Sequence, residues 1–144
     1  MTRPTIIFAS DHAGYPLKEL LKSHVQAAGY TIEDVGTHSL ESTDYPIHAK
    51  DLCSRVLETR GMGILICGTG IGVSITANRI PGIRAALCTN ELMARMSRMH
   101  NNANVLCMGD RVIGPELAKA VTDTFLDTDF EGERHLRRIN MIDG

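Results

Sequence analysis

Short apolar runs alternate five times along the chain with stretches whose apolar residues recur at helical spacing. Residues 5–10, Thr-Ile-Ile-Phe-Ala-Ser, read as a first strand, and Asp11 to Gly14 as a polar turn. Leu17, Leu20, Leu21, Val25 and Ala28 then fall on one face of a helix over residues 15–28, with lysines opposite, ending at Gly29. Residues 30–36 look like a second strand, 37–44 like a polar loop, and Tyr45-Pro46 opens a helix reaching about Thr59. The apolar run Ile64 to Cys67 lacks polar alternation and is too short for a helix, so it reads as a strand buried on both faces.

Gly68, Gly70 and Gly72 stop that strand, and residues 73–79 restart as a helix. Strand four is expected over 83–88 and strand five over 104–109. Between them lies a helix at 90–100 with Leu92, Met93, Met96 and Met99 as its inner face. A helix over 114–126 and a short basic helix over 132–142 complete the chain. Regular alternation of strand and helix predicts a parallel sheet covered on both faces. Ligands bind such sheets beyond the carboxyl ends of the strands, where the strand order switches. With an order of 2-1-3-4-5, Asp11-His12 and Cys67-Gly68-Thr69 flank one crevice.

The glycine turn is neither of two familiar phosphate loops. G-x-G-x-x-G fails from Gly68, where position 73 is Val, and from Gly70, where position 75 is Ile; no Gly-Lys-Ser/Thr follows. The absence of tryptophan and a low aromatic content of 4% leave little to sandwich a flavin ring. What remains is a strand, a tight turn and a helix start, which together present free backbone N–H groups to an anion. A thiol placed there, Cys67, is stabilised as the thiolate and suits a general base or a nucleophile. Cys53, Cys88 and Cys107 have no such setting and read as packing.

Composition narrows the setting. The 144 residues suit one domain over 1–144, with no repeat or linker. A net charge of −2 gives no reason to expect nucleic acid or an anionic membrane as partner, and no apolar run is long enough to span a bilayer. No signal peptide is visible. Four cysteines without C-x-x-C spacing argue against zinc and a disulfide scaffold, and fit a reducing cytoplasm. Arg134 and Arg138, at i and i+4, share one side of the last helix and can grip a phosphate. His24, His38, His48 and His135 carry no signal of function.

An ordered set of motifs runs through the chain: Asp11-His12-Ala13-Gly14, Thr43-Asp44-Tyr45-Pro46, Cys67 to Ser74, Ala77-Asn78, Gly82-Ile83-Arg84-Ala85, His100-Asn101 and Gly109-x-Arg111. In that order they resemble the type B ribose-5-phosphate isomerases, in the family that also holds galactose-6-phosphate isomerase. The resemblance implies an aldose–ketose isomerase with a Rossmann-like three-layer α/β sandwich, a five-stranded parallel sheet and a C-terminal helix, without metal or organic cofactor. It makes Cys67 the base that moves a proton between C1 and C2 of the open sugar, and Thr69 its assistant at the sugar oxygens. The backbone at Gly68, Gly70 and Gly72, with Asn101, becomes the enediolate's anion hole. His100, with Asp11, opens the furanose ring. His12, Arg111, Arg134 and Arg138 hold the phosphate, and Tyr45 falls among the substrate-binding positions. Sites in this family are built across a dimer interface, which implies a homodimer or a tetramer. Since relatives act on allose 6-phosphate, galactose 6-phosphate or tetrose phosphates, another phosphosugar is the alternative substrate, and a sugar-phosphate sensor without turnover is the alternative from another class. The galactose enzyme divides its site between two different chains, whereas one chain here carries the whole set.

Overall fold

The computed structural model describes residues 3–144. Three strands form the middle of the sheet: β1 (Ile6–Ser10), β3 (Met62–Cys67) and β5 (Val105–Gly109), every residue of which is buried. Two three-residue strands, β2 (Ile32–Asp34) and β4 (Ala85–Leu87), stand half-buried at the edges. All pairings are parallel. The helices are α1 (Tyr15–Ala27), α2 (Tyr45–Thr59), α3 (Ile71–Ala77), α4 (Glu91–Met99), α5 (Pro115–Asp127) and α6 (Arg134–Asp143).

The sheet order is β2-β1-β3-β5-β4, not the 2-1-3-4-5 expected from succession along the chain. The reason lies in which strand can be buried. Val105 to Met108 is apolar throughout and fills both faces, whereas the fourth run holds an arginine and two alanines and suits an edge. Side chains also cut β4 short. Asn78 donates to the Ala85 carbonyl at 2.9 Å and accepts from its N–H at 2.8 Å, and Asn104 accepts from the Arg84 N–H at 2.9 Å. Those backbone groups are thus satisfied without a ladder.

Period-two alternation splits the core in two. Ile6, Phe8, Ile64, Ile66, Leu106 and Met108 face one layer, while Ile7, Ala9, Leu65, Cys67, Val105 and Cys107 face the other. The first layer carries α1, α4 and α5, with α5 against both neighbours; the second carries α2 packed on α3. Every leftward crossover therefore uses one face and every rightward crossover the other, as right-handed connections require.

Two helix faces differ from their expected ones. Lys18, expected on the solvent side of α1, is fully buried and pairs with Asp34 at 2.7 Å. Burial alone would raise the Asp34 carboxyl, but hydrogen bonds from Lys18, Lys22 and the Gly36 N–H outweigh it and hold Asp34 below its usual range. On α4, Ala94 and Ser97 point inward, whereas Leu92 and Met93 are exposed. Small residues let this helix sit close to the body, Met96 and Met99 are half-buried, and Leu92 and Met93 face outward.

Candidate active site

The chain leaves β3 toward the α2–α3 layer and leaves β1 and β5 toward the other layer. The carboxyl ends of these three neighbours therefore open a crevice between diverging connections. It is an open cleft of about 500 Å³, lined among others by Asp11, His12, Tyr45, Cys67, Thr69 and Arg111. A cavity of about 530 Å³ beside β4 is slightly larger. Its thiol, Cys88, is pushed up to about 11 by burial, against a lowering contribution from Ser97, so it holds its proton. Burial likewise pushes Cys53 up to about 12 and Cys107 well above its ordinary value. These three thiols pack, as the sequence suggests.

The turn after β3 is built by close approach. Gly70, at φ +81°, leaves no room for a side chain: a Cβ would stand 2.5 Å from Leu87 Cδ1 and 2.8 Å from the Met108 carbonyl carbon. A Cβ on Gly109 would meet the Thr69 backbone at 2.4 Å. The exits of β3 and β5 are tied together, with Asp110 N–H donating to the Cys67 carbonyl and Arg111 N–H to the Gly68 carbonyl, both at 2.9 Å. Arg111 thereby lies over Gly68 with its guanidinium in the cleft. Across the cleft, the Tyr45 ring covers Gly72 so closely that a Cβ there would come within 2.6 Å of Cε1.

Within this turn Cys67 is 5% exposed, and its Sγ accepts from the Gly70 N–H at 3.2 Å. The Ile71 N–H donates to Thr69 Oγ1 at 3.2 Å. Ile71 and Gly72, at the start of α3, line the cleft, where a helix's first N–H groups have no intrahelical partner. A sulfur that accepts a backbone N–H is stabilised when it carries charge, and the donors beside it are arranged for a second negative centre.

Asp11 is buried beside β1's end, its Oδ1 accepting from the Gly14 N–H at 3.0 Å. His12 Nδ1 accepts from the Thr43 N–H at 3.2 Å, which leaves the ring proton on Nε2. Asp110, beside Arg111, serves the fold under the cleft. Its Oδ2 accepts from the Leu17 N–H at 2.9 Å and so caps the first turn of α1 from ninety-three residues away.

Five expected site residues do not line this cleft: Gly70, buried in the turn beneath it, and His100, Asn101, Arg134 and Arg138, which lie elsewhere. His100 ends α4, and Arg134 and Arg138 are exposed on α6. The His100 ring stacks on His135, centroids 4.1 Å apart and planes within 14°. His135, which carries no signal in the sequence, is 5% exposed, with Nε2 unpartnered and 4.0 Å from Glu131 Oε1. Burial, followed by the neighbouring His100 and Arg134 charges, lowers the His135 imidazole below its ordinary value. The donor atoms of His100, Glu131 and His135 lie within 4.8 Å of one another. Rings stacked in offset, near-parallel planes do not aim two lone pairs at one ion, so this trio is not a formed metal centre. Arg84 anchors the turn after α4, donating to the carbonyls of Asn101 at 2.8 Å and Asn102 at 3.2 Å, and pairs with Asp143 on α6.

Known proteins are similar to this one in sequence and fold along nearly the whole chain. The family described as Ribose/Galactose Isomerase matches residues 6–142. Ribose-5-phosphate isomerase B of Escherichia coli is 46% identical over 139 residues, covering 95% of this chain and 93% of that protein. Among solved structures, a ribose 5-phosphate isomerase from Thermotoga maritima superposes with a TM-score of 0.95 at 52% identity, covering 99% of both chains. The ribose-5-phosphate isomerase B of Clostridium thermocellum also gives 0.95, at 48% identity over 96% of this chain and 95% of that one. With its three-layer α/β fold and its crevice at the ends of β1, β3 and β5, the chain belongs to the ribose/galactose isomerase family, and it is an isomerase.

Proposed function

We propose that this isomerase interconverts D-ribose 5-phosphate and D-ribulose 5-phosphate, with Cys67 as the proton carrier. The observation that carries the reading is the Cys67 sulfur, held by the Gly70 N–H at the floor of a cleft whose rim bears His12 and Arg111. In the forward direction the thiolate takes the proton from C2 of the open-chain aldose. The electron pair moves into a C1–C2 double bond and leaves negative charge on the carbonyl oxygen. Backbone N–H groups of the Gly68–Gly72 turn, with Asn101, stabilise that enediolate; a donor of this kind contributes about 3 kcal/mol. The thiol then returns the proton to C1, while Thr69 assists the transfer between the two oxygens. His100, with Asp11, opens the furanose beforehand. His12, Arg111, Arg134 and Arg138 grip the phosphate, which does not react and so fixes register.

This assignment needs two copies of the chain, because His100, Asn101, Arg134 and Arg138 lie away from the cleft. Exposed apolar side chains support a homodimer. Ile71 and Ile75 on α3, Leu92 and Met93 on α4, and Leu136, Met141 and Ile142 on α6 are all more than 40% exposed. Residues 1–144 then act as one domain, working in a reducing compartment such as the cytoplasm. All four cysteines are free, which fits that setting.

Incubation with ribose 5-phosphate and detection of the ketose tests the reading directly. Four-, five- and six-carbon aldose phosphates compared by kcat/KM test the sugar length. A higher value for a four- or six-carbon sugar would replace the ribose assignment while keeping the chemistry.

A further inference from the structure

His48 does not line the cleft, yet one residue connects it to His12. Its Nε2 lies 3.0 Å from Thr43 Oγ1, and the backbone N–H of the same Thr43 donates to His12 Nδ1 at 3.2 Å. Thr43 belongs to the segment between β2 and α2, which has neither helix nor strand to fix its N–H. His48, by contrast, sits on the rigid first turn of α2. Its own Nδ1 is buried without a hydrogen-bond partner, beside Gly36, where a Cβ would come within 3.2 Å. A buried polar atom left bare calls for an explanation, and a bare acceptor is the less costly kind. That assigns the proton to Nε2, which donates to Thr43 Oγ1. Burial lowers the His48 imidazole below its ordinary value, which agrees with a neutral ring.

We infer that His48 is a positioning residue for phosphate recognition: through Thr43 it holds the His12 ring with Nε2–H turned into the cleft. The inference rests on the reading that His12 contacts the substrate's phosphate. Without the His48 contact, Thr43 loses the one side-chain hydrogen bond it makes among the described residues, and the His12 ring becomes free to rotate or to exchange tautomers. A histidine suits the task because it reaches the loop from a helix and offers one donor at its tip.

The test compares His48→Leu, His48→Gln, Thr43→Val and His12→Ala in the assembled enzyme. Each is assayed for kcat, for KM and for competitive inhibition by inorganic phosphate. Glutamine keeps a donor where His48 Nε2 stands. The expected result for His48→Leu is a rise of about tenfold in KM and in the phosphate inhibition constant, the scale of one lost hydrogen bond, with kcat within about twofold. His48→Gln should recover most of that loss. Thr43→Val should resemble His48→Leu, and the double variant should add little, since both break one chain of contacts. It also supplies the answer if His48→Leu does not fold. Phosphate inhibition unchanged in His48→Leu and Thr43→Val but weakened in His12→Ala would overturn the positioning role while leaving His12 in place. Unchanged inhibition in His12→Ala would instead remove the phosphate reading of His12 on which the proposal stands.

Discussion

The floor of the cleft and its missing rim are built by opposite means. At the floor, Cys67, Gly68 and Gly70 are buried, and two backbone hydrogen bonds of 2.9 Å lock the exits of β3 and β5 together. Gly70 and Gly109 there permit contacts that any Cβ would forbid. On the far side, α6 buries only His135 and Ile139, while Arg134, Arg137 and Arg138 are exposed. A proton-transfer centre must hold its atoms to fractions of an ångström, and one chain achieves that with packed backbone. Long cations that hold an unreactive phosphate tolerate a looser mount. On the proposed reading each protomer supplies its own base together with His12 and Arg111, and a second copy completes the phosphate grip with Arg134 and Arg138.

Removing the floor should cost most. Cys67→Ala deletes one sulfur and one hydrogen bond, so thermal unfolding should move little. Turnover of ribose 5-phosphate should fall by about 10²–10⁴, the usual contribution of a positioned base. A variant keeping more than about a tenth of wild-type kcat, against that range, would take the base away from Cys67.

His100 tests whether the rim takes part in chemistry as well as binding. Ring opening needs a proton taken from the anomeric hydroxyl and one delivered to the ring oxygen, and a histidine can serve either transfer. His100→Asn should therefore lower ribose 5-phosphate turnover by about 10²-fold. Exchange of the C1 proton of ribulose 5-phosphate, which cannot close into a furanose, should be largely spared. Proton NMR in deuterated water follows that exchange. Equal losses in both measurements would move His100 to the proton-transfer step or to the support of α6 through the His135 stack.

The same division explains what could be read from the sequence. Floor residues are contiguous and chemically distinctive: a buried apolar run followed by a thiol and three spaced glycines announces a central strand and a tight turn, and both stand in the structure. Strand order was less legible, because succession suggests neighbours while burial decides them. The Val105–Met108 run displaced the weaker Ala85–Leu87 from the interior. The burial of Lys18 on α1 is not legible because its partner, Asp34, comes from β2, and helical periodicity carries no trace of a distant carboxylate. The exposed Leu92 and Met93 read as core because apolar spacing does not say which surface covers it. His48 and His135 carry no sequence signal at all, since their roles arise from a loop contact and a ring stack.

A smaller effect should follow from the arginines alone. Arg138→Ala removes one charge-assisted contact to the phosphate, so KM for ribose 5-phosphate should rise about tenfold or more. Weak turnover of unphosphorylated ribose should stay unchanged, because nothing near Cys67 has moved. An equal fall for both sugars would make Arg138 part of the fold of α6 or of the chemical step.

The sharpest test of the comparison has the smallest signal. If base and rim come from different copies, a site contains Cys67 of one protomer and His100 of its partner. Two inactive variants, Cys67→Ala and His100→Asn, can then be mixed, dissociated and reassembled. A mixed dimer has one site with both lesions and one site with neither. Random pairing makes about half the dimers mixed, so recovered activity should approach about a quarter of wild type, as a two-fold symmetric site requires. If base and rim belonged to the same protomer, every site would carry one lesion and mixing would restore nothing. Recovery near a quarter would also fix His100 as a group acting in the partner's cleft. No recovery, with mixed dimers verified by mass, would return the whole site to one chain and place the exposed arginines outside it.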